Sequence, residues 1–84
     1  MKTLLDFKKR VVVGAAMETV SQRLGKVLNR VVTERTENSF ALSRPNNETD
    51  SWFDFPKEKE LEILDENTVA VQKNGEFILK FKFL

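Results

Sequence analysis

The C-terminal third constrains this 84-residue chain most. Residues 61–84, LEILDENTVAVQKNGEFILKFKFL, read as three short strands joined by two tight turns. Phe77, Leu79, Phe81 and Phe83 alternate with Ile78, Lys80 and Lys82. Successive side chains of an extended chain point to opposite faces. The alternation therefore assigns the three phenylalanines and Leu79 to a core face. Lys80 and Lys82 go outside, and Ile78 is carried outward by its phase. Asn74-Gly75 readily takes the positive φ values of a two-residue hairpin, so strands at 68–73 and 76–83 are expected to pair. Asp65-Glu66-Asn67 is a second polar break, after Leu61 and Ile63. The result is a terminal antiparallel meander.

Upstream, Thr3 can cap a helix, with Asp6 three residues on near the positive end of its dipole. Leu4, Phe7 and Val11 have the spacing of one helical face. A short helix ending near Arg10 is expected to pack over one opening of the sheet. Val11-Val12-Val13 favours extended backbone, Gly14 permits a bend, and Met17–Val20 continues as a strand. Residues 21–30 admit two readings. Val20, Leu24, Val27, Leu28 and Val31 fit helical spacing, although Gly25 costs a helix about 1 kcal/mol relative to alanine. Leu24-Gly25-Lys26 is equally suited to the tip of a long hairpin. Strands are expected at Val31–Glu34 and Phe40–Leu42 around the polar turn 36–39, and at Ser51–Phe55 before Pro56. The segment 44–50 reads as a loop.

The fold class is mainly β, in a single domain over residues 1–84. It takes the form of a small SH3-like antiparallel barrel or meander of about six strands, with a short N-terminal helix, closed enough to limit exposed edges. The alternative is an α+β arrangement with a helix at about 18–30 on an antiparallel sheet.

Composition narrows the chemistry. The chain has no cysteine and no histidine. That removes disulfides, thiolate metal sites, thiol nucleophiles and the commonest general base. The carboxylates of Lys57–Glu62 and Asp65-Glu66 lie in or beside a Lys/Glu-rich connector and lack the spacing of a calcium loop. The serines have no histidine to activate them and form no S-x-x-K motif. No enzyme activity, metal or cofactor is expected. No apolar run reaches the roughly 20 residues that span a bilayer. Asp6, Lys8, Lys9 and Arg10 interrupt the apolar stretches of the N-terminus, so no signal peptide is expected. A cytoplasmic protein with no membrane association is the default.

The net charge of +1 conceals an asymmetry. Residues 1–36 hold eight Lys/Arg against three Asp/Glu, and residues 37–84 hold six against ten. Lys8, Lys9, Arg10, Arg23, Lys26 and Arg30 are the candidate nucleic-acid contacts, since phosphate binding needs cations that converge. The alternative is a solvated basic face. Trp52 shares a strand face with Asp54, opposite Phe53 and Phe55. If the phenylalanines fill the core, Trp52 stands partly exposed beside the polar loop, where it can anchor a partner or stack on a base. Otherwise it closes one end of the barrel as ordinary core. Trp52, Asp54 and Arg44 are the candidate protein-binding residues.

The segments Val13-Gly14, Met17–Val20, Asn38–Leu42 and above all Ser51-Trp52-Phe53-Asp54-Phe55-Pro56-Lys57 resemble a group of short uncharacterised proteins of phages and other mobile elements. The resemblance favours the hairpin for residues 21–30. It brings no activity and no site residue. It implies a small accessory protein that binds and modulates a host component.

Three functional classes follow. The first is a non-enzymatic module that binds a host or phage protein. The second is a nucleic-acid-binding accessory protein using the basic N-terminal half. The third is a self-assembling subunit in which the terminal strand EFILKFKFL pairs with a copy of itself.

Overall fold

The computed structural model describes residues 1–23, 25–44 and 49–84. A short helix, α1 (Leu4–Arg10), precedes seven strands. These are β1 (Ala16–Ser21), β2 (Val27–Arg35), β3 (Ser39–Leu42), β4 (Ser51–Asp54), β5 (Leu61–Asp65), β6 (Thr68–Lys73) and β7 (Glu76–Phe83). One 3₁₀ turn at Glu58–Glu60 leads into β5. Strands take up 53 % of the described residues and helix 13 %, so the helix considered at 18–30 does not form. β1 and β2 pair there instead, with Ala16 opposite Val31 and Val20 opposite Val27. Gly25 sits at φ +64°, a left-handed conformation that a helix interior does not use. Leu24, expected at the hairpin tip, lies outside the described residues, as do positions 45–48 of the expected 44–50 loop.

All neighbouring strands are antiparallel, in the order β4-β3-β2-β1-β7-β6-β5. Two meanders, β1–β4 and β5–β7, are joined where Met17 lies opposite Phe83 and Ser21 opposite Leu79. The sheet curls into a half-barrel, with β4 and β5 as its edges. β7 is interior, hydrogen-bonded to β1 on one side and to β6 on the other. Pairing of this strand with a copy of itself would have to break one of these two ladders first.

The Asn74-Gly75 hairpin forms as the sequence implies, with both residues at positive φ, 53° and 80°. Three ladders slip by one residue, at Thr33 in β2, Leu64 in β5 and Ile78 in β7. A bulge bends its strand and sharpens the local twist, which suits a sheet that curls about its own core. The Ile78 bulge also corrects the assignment of the core face. Leu79 pairs with Val71 but Phe77 pairs with Gln72. Phe77 is thereby thrown out of phase and left 36 % exposed, while Phe81 and Phe83 are buried. Leu79 packs against the core, and Ile78 is half-buried rather than fully outside.

The other six phenylalanines make one cluster around α1. Thr3 and Asp6 form a reciprocal capping box. The Asp6 N–H donates to Thr3 Oγ1 at 3.2 Å, and Asp6 Oδ2 accepts from the backbone of Thr3 and of Lys2. Held in this way, α1 drives Phe7 and Val11 into the concave face, both fully buried. The Phe7 ring meets those of Phe40, Phe55, Phe81 and Phe83 with centroids 5.8–6.4 Å apart. Burying rings of this size, mostly edge to face, is the main source of stability in so small a core. α1 thus plugs one end of the half-barrel, as the sequence implies.

Candidate binding site

Register decides what lines the other end. Along β1 the concave face carries Met17, Thr19 and Ser21; along β2 it carries Leu28, Arg30 and Val32. Ser51 and Phe53 share that face on β4, as their pairing with Leu42 and Phe40 requires. Near α1 the row is apolar and buried, with Met17, Val32 and Phe83. Away from α1 it becomes polar and only partly buried at Ser21, Leu28, Ser51 and Leu79. Here a groove opens, joined by Arg23 and Lys26 from the β1–β2 hairpin, by Arg44 and Asp50 at the ends of the β3–β4 loop, and by Trp52.

This mouth is cationic. Arg23, Lys26, Arg30 and Arg44 line it, against Asp50 as the one carboxylate among the described lining residues. Asp50 Oδ2 accepts from Thr33 Oγ1 at 2.6 Å. Arg30 is the unusual member, with only 9 % of its surface exposed. Its guanidinium lies 6.0 Å from the centroid of Phe53, a cation–π placement. Nη2 donates to Ser51 Oγ at 3.3 Å, and Arg44 Nε donates to the same oxygen at 2.6 Å. The Nε of Arg30 is buried and finds no acceptor among the described residues. Burial first, and then the neighbouring Arg44 charge, pushes the Arg30 pKa below its ordinary value.

Trp52 is 51 % exposed on the outward phase of β4, with Asp54 two residues on. It stands at the rim of the mouth and also borders a second cleft with Asp54, Lys57, Glu60 and Lys73. That cleft has balanced charge. Of the candidate protein-binding residues, Trp52 and Asp54 meet at the second cleft, and Trp52 and Arg44 at the mouth.

The candidate nucleic-acid residues divide into two groups. Arg23, Lys26 and Arg30 converge on the mouth, whereas Lys8, Lys9 and Arg10 do not line it. Lys8 and Arg10 instead serve the packing of α1. The Lys8 ammonium lies 5.3 Å from the centroid of Phe55. The Arg10 guanidinium lies 4.3 Å from that of Phe83 and donates to the Glu66 carbonyl at 2.7 Å. Lys9 is exposed on the helix.

Sequence reasoning missed Ser51 and Asp50, and it missed the burial of Arg30. The signal was there for Ser51, two residues before Phe53 and hence on the same strand face. It was present too for Arg30, which shares a strand face with Leu28 and Val32 once the segment is read as strand. Among the described residues no group of three or more Asp, Glu, His or Cys converges as a metal site would, and no helix is long and apolar enough to cross a membrane. Comparison with protein-family models, with curated proteins and with solved structures returned no match.

Proposed function

We propose that this protein is a binding module with no chemistry of its own, engaging a macromolecular partner through the open mouth of the half-barrel. The observation that carries the reading is the mouth's charge. Among the described lining residues four cations face one carboxylate there, beside a half-exposed tryptophan. A surface of one sign attracts and orients a partner of the other, and an exposed Trp supplies apolar contact area at small entropic cost. The partner therefore presents negative charge to Arg23, Lys26, Arg30 and Arg44. The resemblance of Ser51–Lys57 to phage and mobile-element proteins fits a small accessory protein acting stoichiometrically in a cytoplasm.

Two-dimensional amide and indole NMR tests the site. Titration with polyglutamate and with oligothymidylate is expected to shift the resonances of Thr19, Ser21, Arg30, Ser51 and the Trp52 indole with at least one of them. Shifts confined to Lys8–Arg10, or no shifts with either polyanion at low salt, would sink the reading.

A further inference from the structure

We infer that the mouth takes single-stranded nucleic acid, with Arg30, Arg44 and Ser51 gripping one backbone phosphate and Trp52 stacking on a base. The inference rests on the mouth being the binding surface, and it adds the partner's class and the residues that read it.

The starting point is Arg30. A buried guanidinium is normally matched by a carboxylate, because desolvating an isolated charge is costly. Arg30 has Ser51 Oγ, the Phe53 ring and a second guanidinium. None of these is an anion, and among the described residues its Nε finds no acceptor. Two arginines drawn onto one hydroxyl repel each other. The arrangement is stabilised most by an anion with several oxygens, which accepts from both forks at once. A backbone phosphate meets this need with two charged oxygens, and a carboxylate can do the same, so the rest of the lining decides between them.

The remaining lining points to a polymer rather than a lone phosphate. Arg23 and Lys26, from the β1–β2 hairpin, line the same mouth and add two further cations to it. A strip of cations beside an exposed aromatic ring is the pairing that single strands use: cations follow the phosphates, and the ring stacks on whichever base is presented. Among the described residues the lining holds no second exposed aromatic, and Gln22 as its one amide side chain is no array to read base edges. Binding is accordingly indifferent to sequence, as stacking is.

Fluorescence anisotropy with labelled oligothymidylate of about eight nucleotides tests this, with polyglutamate and inorganic phosphate as competitors. Binding is expected near 50 mM salt, with the logarithm of affinity falling against the logarithm of salt with a slope of about −2 to −3, as three to four phosphate contacts on a single strand give. Arg44→Gln is expected to weaken binding about tenfold and flatten the slope by about 0.7. Trp52→Ala is expected to weaken it at least about fivefold and to abolish the quenching of indole fluorescence that stacking causes. Arg30 packs on Phe53, so Arg30→Gln risks the fold. Arg44, Lys26 and Arg23 are exposed, and their variants decide the matter. If polyglutamate binds at the mouth and the oligonucleotide does not, the partner is an acidic protein segment. The inference then falls while the mouth survives as the binding surface. If oligonucleotide affinity is unchanged in Arg44→Gln and Lys26→Gln but lost in Lys9→Gln, both fall.

Discussion

Arg35 and Val11, 24 residues apart in the chain, are joined by a 3.0 Å hydrogen bond from the Arg35 Nε–H to the Val11 carbonyl. Nη2 of the same guanidinium donates to the Lys8 carbonyl at 3.1 Å, and the plane lies 4.4 Å from the centroid of Phe55. The carbonyls at the end of a helix have no partners within it, and a cation there also favours the dipole. Arg35 reaches them because the bulge at Thr33 sets it opposite Phe40, on the core side of β2. One side chain thus fastens the helical plug to the sheet. Arg35→Ala is expected to cost about 2 kcal/mol, the range for charged hydrogen bonds that are partly shielded. Arg35→Lys keeps the charge but loses the fork, and is expected to recover less than half of that. Urea unfolding midpoints measure both. Equal stability of Arg35→Ala and the parent would show that α1 is held without Arg35.

Phe77 and Phe81 look interchangeable in the sequence and are expected to behave differently. Phe81→Ala empties a site 2 % exposed and packed against Phe7, Phe40 and Phe53, and should cost about 3–5 kcal/mol. For a domain this size that approaches the whole stability. Phe77→Ala, on the outward phase after the Ile78 bulge, should cost less than about 1 kcal/mol. A soluble, cooperatively folding Phe81→Ala protein would show that the strand phase is wrong.

The same pair shows what the sequence can convey. Alternation records which face a residue takes only while the ladder keeps its register. It holds at Phe81 and Phe83, and it fails at Phe77 because an unpaired Ile78 intervenes. No residue type marks that slip in advance. Local features came through well. The Thr3–Asp6 capping box and the Asn74-Gly75 turn are satisfied by neighbours a few residues away, and both form as read. The site is long-range. Arg30 and Ser51 meet across 21 residues, through a strand that periodicity alone would have made helix. Individual cations were legible, and their partition between the α1 plug and the mouth was not.

Gly75 gives a sharper local test. At φ 80° it occupies a conformation that L side chains rarely adopt, although a Cβ would meet nothing within 4 Å. The penalty of Gly75→Ala is therefore purely one of backbone strain, about 1 kcal/mol. The β6–β7 hairpin should stay paired, with lowered amide protection only at residues 73–77 in hydrogen exchange. A loss of protection spreading to Phe81 would mean that the turn, not the phenylalanine cluster, sets the register of β7.

Two carboxylates are expected to make stability sensitive to acid. Asp6 is held below its ordinary value of 3.8 chiefly by the Lys2 backbone N–H and then by Thr3. Asp65 is lowered chiefly by the Asn67 backbone N–H, which donates to its Oδ1 at 2.8 Å, and then by Thr68. Each group is a stronger acid folded than unfolded, so as pH falls the unfolded chain takes up these protons first. Their contribution is thus fully present above the unfolded pKa. It is lost as pH drops below about 4 and through the depressed folded values. Unfolding midpoints should be nearly flat from about pH 7 to about pH 5 and then decline. Asp6→Asn with Asp65→Asn should lower the plateau and make the decline shallower, since the titrating groups are gone. The double variant retaining the parent's full slope between about pH 4 and pH 2.5 would assign acid sensitivity to other carboxylates and leave the two turns with no electrostatic role.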